Sequence, residues 1–282
     1  MFEMKNKRMS MPLKKNNLND YENLSLRIRR SVLDLIYKTR SPHIGSSYSV
    51  VEILVALYFN HLKVPAGNTS DPERDRFILS KGHACAALYA VLAEKGFING
   101  DDLEKFAVNE GKFEQHPTAN LTHGIEVSTG SLGHGLSIGT GMALAAKVDK
   151  MKHKVYVLLS DGEMNEGSVW EAVMFAGHHG LDNLVALVDF NKMQALGCTR
   201  DIIHLEPLGE KWKSFGWNAQ EIDGHNFEQI FNALNSLSSE KPNVIILHTI
   251  KGKGVSFMEN DLLWHYRAPD DNEYKLASGE LQ

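Results

Sequence analysis

Four short runs, RFIL, VYVLLS, LVALVDF and NVIILH, are almost unbroken in their apolarity. A strand with one wet face alternates apolar and polar residues, so an unbroken run needs cover on both faces. Helical patterns separate the later runs, and that alternation predicts an α/β fold: a parallel sheet flanked by helices on both faces. The spacing predicts strands over 155–160, 184–190, 218–222 and 243–249, with helices over 168–178, 206–215 and 227–237. Upstream, Leu24, Ile28, Val32, Leu35 and Ile36 recur at helical spacing within 18–39. A break is expected at SPHIGSS, where Pro42 and Gly45 interrupt the pattern, and a second helix over 49–61. After RFILS, a helix opens with GHACAALYAVLAEKG. The segment 101–130 reads as irregular, and GHGLSIGTGMALAAKVDK as a small-residue helix able to pack its backbone closely on a neighbour.

No internal repeat and no linker interrupts this pattern, so residues 18–282 are expected to form one domain behind a flexible lead-in, 1–17. A formal net charge of −5 argues against nucleic acid and anionic membranes as partners. The longest apolar runs are far too short to span a membrane, and the basic start lacks an apolar core, so it is not a secretory signal. Two cysteines, Cys85 and Cys198, fit a reducing cytoplasm rather than a disulfide framework.

Ligands of open α/β sheets gather at the carboxyl ends of strands. Three polar clusters fall there: SKGH, SDGEMNEG and FNKMQ. In the second, Asp161 ends a strand and Gly162 allows close backbone approach. Ser168 and Glu171 could form a capping box, which would make the cluster a plain helix start with solvated acids. Asn191 shifts the balance, because it ends the next strand 30 residues after Asp161, about one β-α-β unit away. Carboxylate and amide oxygens at neighbouring strand ends suit one hard cation, Mg²⁺ or Ca²⁺, and such a cation would let acids coexist with a phosphate ligand.

This Asp-Gly pair followed by Asn resembles the thiamine diphosphate fingerprint, GDG…N, with Ser160 replacing the first Gly. SPHIGSS, ILSKGHACAALYAVL, QHPT, VSTGSLGHGLSIGTGMALA, DGEMNEGSVWEA, DFNKMQALG and WHYRAP stand in the order seen in the amino-terminal half of transketolase. The likeness runs from about residue 20 to 270. It implies a thiamine diphosphate-binding fold, with Asp161, Asn191 and the Met193 carbonyl as metal ligands and Gly162 as an amide donor to the diphosphate. Gly130, Ser131 and Leu132 match a turn beside the thiamine rings, Ser131 replacing the usual Pro. His83 and His265 match histidines facing the cofactor's phosphates and reaction centre, and His43 and His116 match histidines lining the substrate channel. Histidine suits the proton transfers of two-carbon ketol transfer near neutral pH.

Glu166 and Glu171 match acids near the family's subunit interface. His123, His153, His178, His179 and His225 match no role and read as surface or structural, while that of His134 stays open. The Lys251-Gly-Lys-Gly run could touch phosphates but lacks the Walker arrangement, so a solvated loop is expected. The resemblance also implies a split enzyme: a separate carboxy-terminal transketolase subunit carrying the pyrimidine-binding domain, two copies of each chain, and sugar or sugar phosphate substrates. Two alternatives stay open. One is a related thiamine diphosphate subunit using another donor, as in deoxyxylulose phosphate synthesis. The other is a non-catalytic scaffold that binds Mg²⁺ or a nucleotide.

Overall fold

The computed structural model describes residues 17–65 and 68–282; the expected lead-in therefore lies, Asn17 apart, outside the described residues. Five strands form a parallel sheet: β1 (Arg76–Leu79), β2 (Val155–Ser160), β3 (Leu184–Phe190), β6 (Asn218–Asp223) and β7 (Asn243–His248). Their order across the sheet is β1-β2-β3-β7-β6, and every neighbouring pair is parallel. A two-residue antiparallel hairpin, β4 (Met193–Gln194) and β5 (Gly197–Cys198), follows β3.

Alternate residues of each central strand enter separate cores, which is why the runs are apolar throughout. Val155, Val157 and Leu159 of β2 join one cluster with Leu184, Ala186 and Val188 of β3. Tyr156 and Leu158 join the other with Val185 and Leu187. The first cluster is covered by α6 (Gly135–Val148), α7 (Gly167–His178) and α9 (Leu208–Ser214). The second is covered by α1 (Leu18–Thr39), α3 (Val51–Ala56), α4 (Cys85–Lys95) and α10 (Phe227–Asn235). In α6, a β-carbon at Gly139 would run into Val157, so the small-residue helix does approach β2 closely. Short helices α2 (Ile44–Tyr48), α5 (Gly100–Leu103) and α8 (Thr199–Ile202), with the terminal α11 (Asp271–Glu280), complete the set.

Three local expectations need refinement. The break is present but narrow: α1 ends at Thr39 and α2 begins already at Ile44, with all five of its residues buried, so tertiary packing overrides the Gly45 signal while the Pro42 signal holds. The helix expected over 49–61 is α3 followed by a π-helical turn, Leu57–His61. Ser168 and Glu171 form no capping box; α7 starts at Gly167, and the Ser168 hydroxyl donates instead to the Gly133 carbonyl at 2.9 Å. No helix among the described residues is long and apolar enough to cross a membrane.

Candidate active site

The register of the sheet places the site. Ser160 pairs with Asp189, and the Asp161 amide donates to the Asp189 carbonyl, so Asp161 and Asn191 leave adjacent strand ends side by side. Asp161 Oδ2 accepts the Lys192 amide at 2.7 Å, and Asn191 Oδ1 accepts the Met193 amide at 3.0 Å. Asp161 is 1% exposed, and burial, then the neighbouring Asp189 charge, pushes its carboxyl up to about 7. Gly162 meets nothing nearer than 3.7 Å from a notional β-carbon, so no contact within the chain demands glycine there. By contrast, a β-carbon at Gly82 would stand only 2.8–2.9 Å from Thr129 and the Gly130 amide.

Beneath this pair lies a buried charge that sequence reading passed over. Asp189 accepts from Lys81 Nζ at 2.5 Å, Ser49 Oγ at 2.7 Å, Asn191 Nδ2 at 2.9 Å and Thr249 Oγ1. Burial opposes its ionisation, but Lys81 and the hydroxyl donors outweigh that and hold its carboxyl below the usual range. The available signal was an acid inside an otherwise apolar strand, since buried acids occur only with partners. Glu163 is a second missed group. It is fully buried and binds the Ser160 amide at 2.8 Å, the Gly133 amide at 3.1 Å and the Ser80 hydroxyl, so it ties the ends of β1 and β2 to the Gly130–Leu132 turn. Burial raises its pKa, and these donors only partly offset the rise.

The four expected histidines converge next to this cluster. The His43 ring centroid lies 5.2 Å from His83, 4.9 Å from His265 and 6.3 Å from His116. The His43 amide donates to the His265 carbonyl at 3.2 Å, and His43 adopts φ 75°, a left-handed conformation uncommon for histidine and frequent at functional sites. Gly130, at φ 151°, packs its backbone on the His116 ring, where a β-carbon would stand 3.1 Å away. Ser131 is exposed and Leu132 half-buried on that turn. Burial lowers all four imidazoles: His43 to about 4 and His265 to about 3, with Lys251 adding to both, His83 well below its usual value, and His116 in the same direction. All four are therefore held in the neutral form near pH 7.

Lys251 joins the two clusters and corrects the solvated-loop expectation. It is 1% exposed, with Nζ 3.2 Å from His265 Nδ1 and 3.4 Å from the Met193 carbonyl. Burial, then Lys81, lowers it to about 8. Glu166 and Glu171 are exposed on and just before α7, and their side chains make no hydrogen bond or ion pair among the described residues. Pro117 and Thr118 beside His116 line an open pocket of about 530 Å³ with Asn109, Glu114 and Thr129.

The donor set fits a hard cation carried by a diphosphate. It offers one carboxylate without a cation, one amide oxygen and one backbone carbonyl. Among the described residues no three His, Cys, Asp or Glu side chains gather as a metal site, as expected for a set with a single acid.

Comparison with known proteins points to one family. Residues 22–279 match the family described as transketolase, thiamine diphosphate binding domain. The chain is 42% identical to one of the subunits named for the apulose-4-phosphate transketolase of Phocaeicola vulgatus, over 90% of each chain. It is 44% identical to 6-deoxy-6-sulfo-D-fructose transketolase subunit SqwG of a Clostridium species, over 90% of this chain and 94% of that one. The solved transketolase of Campylobacter jejuni superposes with a TM-score of 0.87 at 30% identity, covering 94% of this chain but 43% of the other. The chain thus spans less than half the length of that solved transketolase. It belongs to the transketolase family, as the part that binds thiamine diphosphate.

Proposed function

We propose that residues 18–282 act as one diphosphate- and metal-binding domain, the amino-terminal subunit of a split transketolase. The activity is transfer of a two-carbon ketol unit from a ketose or ketose phosphate donor to an aldose acceptor. A separate carboxy-terminal chain with the pyrimidine-binding domain completes the site, in an assembly of two copies of each chain in the cytoplasm. One observation carries the reading: a buried acid and a buried lysine, neither with an ion-pair partner among the described residues, meet four clustered imidazoles at the same strand ends. Relatives of nearly the same length, from different genera, are each named as one subunit of a transketolase, which supports the two-chain form.

When bound, thiamine diphosphate would supply the carbon–carbon bond chemistry. This chain's residues would do the rest. Asp161, Asn191 and the Met193 carbonyl would hold Mg²⁺ or Ca²⁺. The Gly162 amide, His83 and Lys251 would bind the diphosphate, and Gly130, Ser131 and Leu132 would border the rings. His265, His43 and His116, neutral through burial, would take up and return protons at substrate hydroxyl and carbonyl oxygens. Glu166 and Glu171, exposed, would face a partner chain.

The test is ketol transfer by the purified chain alone and with the candidate second chain. Activity should need both, and robust turnover by this chain alone would sink the split-site reading. A deoxyxylulose phosphate-type donor or a scaffold role has no observation in its favour here.

A further inference from the structure

His225 sits apart from the site, on the turn between β6 and α10, and closes a chain of largely buried contacts. Arg29 of α1 makes a two-pronged pair with Glu52 of α3, Nη1 to Oε1 at 2.7 Å and Nη2 to Oε2 at 2.9 Å. Glu52 Oε2 lies 2.9 Å from His225 Nδ1, and the Ile250 amide donates to His225 Nε2 at 2.9 Å. The last contact settles the tautomer. A backbone N–H can only donate, so Nε2 carries no proton and Nδ1 must. Nδ1–H then donates to Glu52, which is ionised: burial opposes this, but Arg29 and His225 outweigh it and hold the acid at about 2. A doubly protonated ring would set two donors face to face.

The relay holds the loop that follows β7. Ile250 precedes Lys251, whose ammonium bridges His265 and the Met193 carbonyl. Arg29 grips the same loop again, Nε donating to the Lys253 carbonyl at 2.8 Å, and Nη2 donates to the Tyr48 carbonyl at the end of α2 at 3.2 Å. Gly254, at φ +98°, lets that backbone lie against Arg29, where a β-carbon would come within 3.0 Å of Cδ. One clamp thus fixes both the helix that begins beside His43 and the loop that carries Lys251.

We propose that His225 is a positioning residue: fixed as the Nδ1–H tautomer by Glu52, it anchors the Ile250 amide and so sets Lys251 in the site. The consequence for ligand binding rests on the reading of Lys251 as a diphosphate-binding group.

The tautomer is read on the unaltered full chain by long-range proton–nitrogen correlation of ¹⁵N-histidine. A protonated Nδ1 with a bare Nε2 is expected at His225; the opposite tautomer or a charged ring overturns the proposal. Two variants then divide the relay. His225→Asn keeps a donor towards Glu52 but cannot reach Ile250, whereas His225→Gln places an acceptor near the Nε2 position. Hydrogen exchange at Ile250 should quicken about tenfold in the Asn variant, the loss of one hydrogen bond, and change little in the Gln variant. Equal exchange in both overturns the proposal. Calorimetric titration with inorganic diphosphate and Mg²⁺ supplies the ligand readout. Affinity should fall in His225→Asn and in Lys251→Met, and hold in His225→Gln. Loss in Lys251→Met alone overturns the positioning role. Loss in neither refutes the diphosphate reading, and with it the role drawn from it.

Discussion

Lys81→Met removes the ammonium bonded to the fully buried Asp189 carboxylate. Lys81 and Asp189 are each 0% exposed, with Nζ 2.5 Å from Oδ2. Breaking a buried pair from one side costs roughly 3–5 kcal/mol, because the other charge stays behind. Here Ser49, Asn191 and Thr249 still donate to Asp189, so the expected loss is at the lower end, about 3 kcal/mol. At roughly 2–4 °C per kcal/mol for a chain of about this size, the thermal midpoint falls by about 6–12 °C. The pH dependence has a definite sign. Asp189 is an acid depressed in the folded state, so its stabilisation is present above its unfolded range and lost as pH falls through its folded one. Lys81→Met removes much of that depression. The gap between parent and variant should be full near pH 7 and narrow at about pH 4 and below. Urea unfolding at the two pH values measures both effects. Lys81→Met with Asp189→Asn should recover more than half of the loss, since no charge is then stranded. A single-variant loss under about 1 kcal/mol near pH 7, or a double variant no better than the single, would refute the reasoning.

Asp161 gives the opposite pH sign. Its folded pKa is raised to about 7, so its contribution is fully present below the unfolded carboxylate range and lost as pH rises through about 7. The metal-free chain should unfold at lower urea near pH 8 than near pH 6, Mg²⁺ with thiamine diphosphate should close the gap, and identical midpoints would count against it. Glu163→Ala strands the Ser160 and Gly133 amides and should cost about 2–3 kcal/mol in urea unfolding; Glu163→Gln, which keeps one acceptor but turns its NH₂ onto the other backbone N–H, should recover little of that loss. Gly130→Ala forces a side chain into φ 151° and to within 3.1 Å of the His116 ring, so about 1–2 kcal/mol of stability and the His116 ring resonance should both shift.

Legibility in the sequence followed the range of the interaction. The sheet was readable because burial on both faces is written along each strand: Val155 and Tyr156 are adjacent in sequence and enter different cores. Asp161 and Asn191 were readable because they end two such runs. The misread places depend on distant partners. Gly45 looked like a breaker, yet it is a buried residue of α2 where a β-carbon would stand 3.1 Å from Lys251 Cγ. Lys251 itself looked solvated because its run lacks the Walker arrangement, and nothing local foretells Met193 and His265 closing over its ammonium. His225 read as surface or structural for the same reason, since its partners Glu52 and Ile250 come from α3 and the far side of β7.

Charge balance explains why a phosphate cradle is lined with acids. Five ionisable groups are buried at the strand ends: Lys81, Asp161, Glu163, Asp189 and Lys251. Lys81 and Asp189 neutralise each other. Glu163 is met by hydroxyl and amide donors, and burial pushes it towards the neutral acid. That leaves Asp161 and Lys251. Lys251 senses the Asp161 charge, yet neither has an ion-pair partner within 4 Å among the described residues. Each is pushed towards neutrality, the acid up to about 7 and the amine down to about 8. Joining them directly would satisfy both and leave no site. Kept apart, the acid calls for a cation and the amine for an anion, and a divalent metal on a diphosphate brings the two charges together in one ligand. The anchoring of Lys251 through Ile250 and His225 then follows as a need of the site, because a lysine free to swing could close on Asp161.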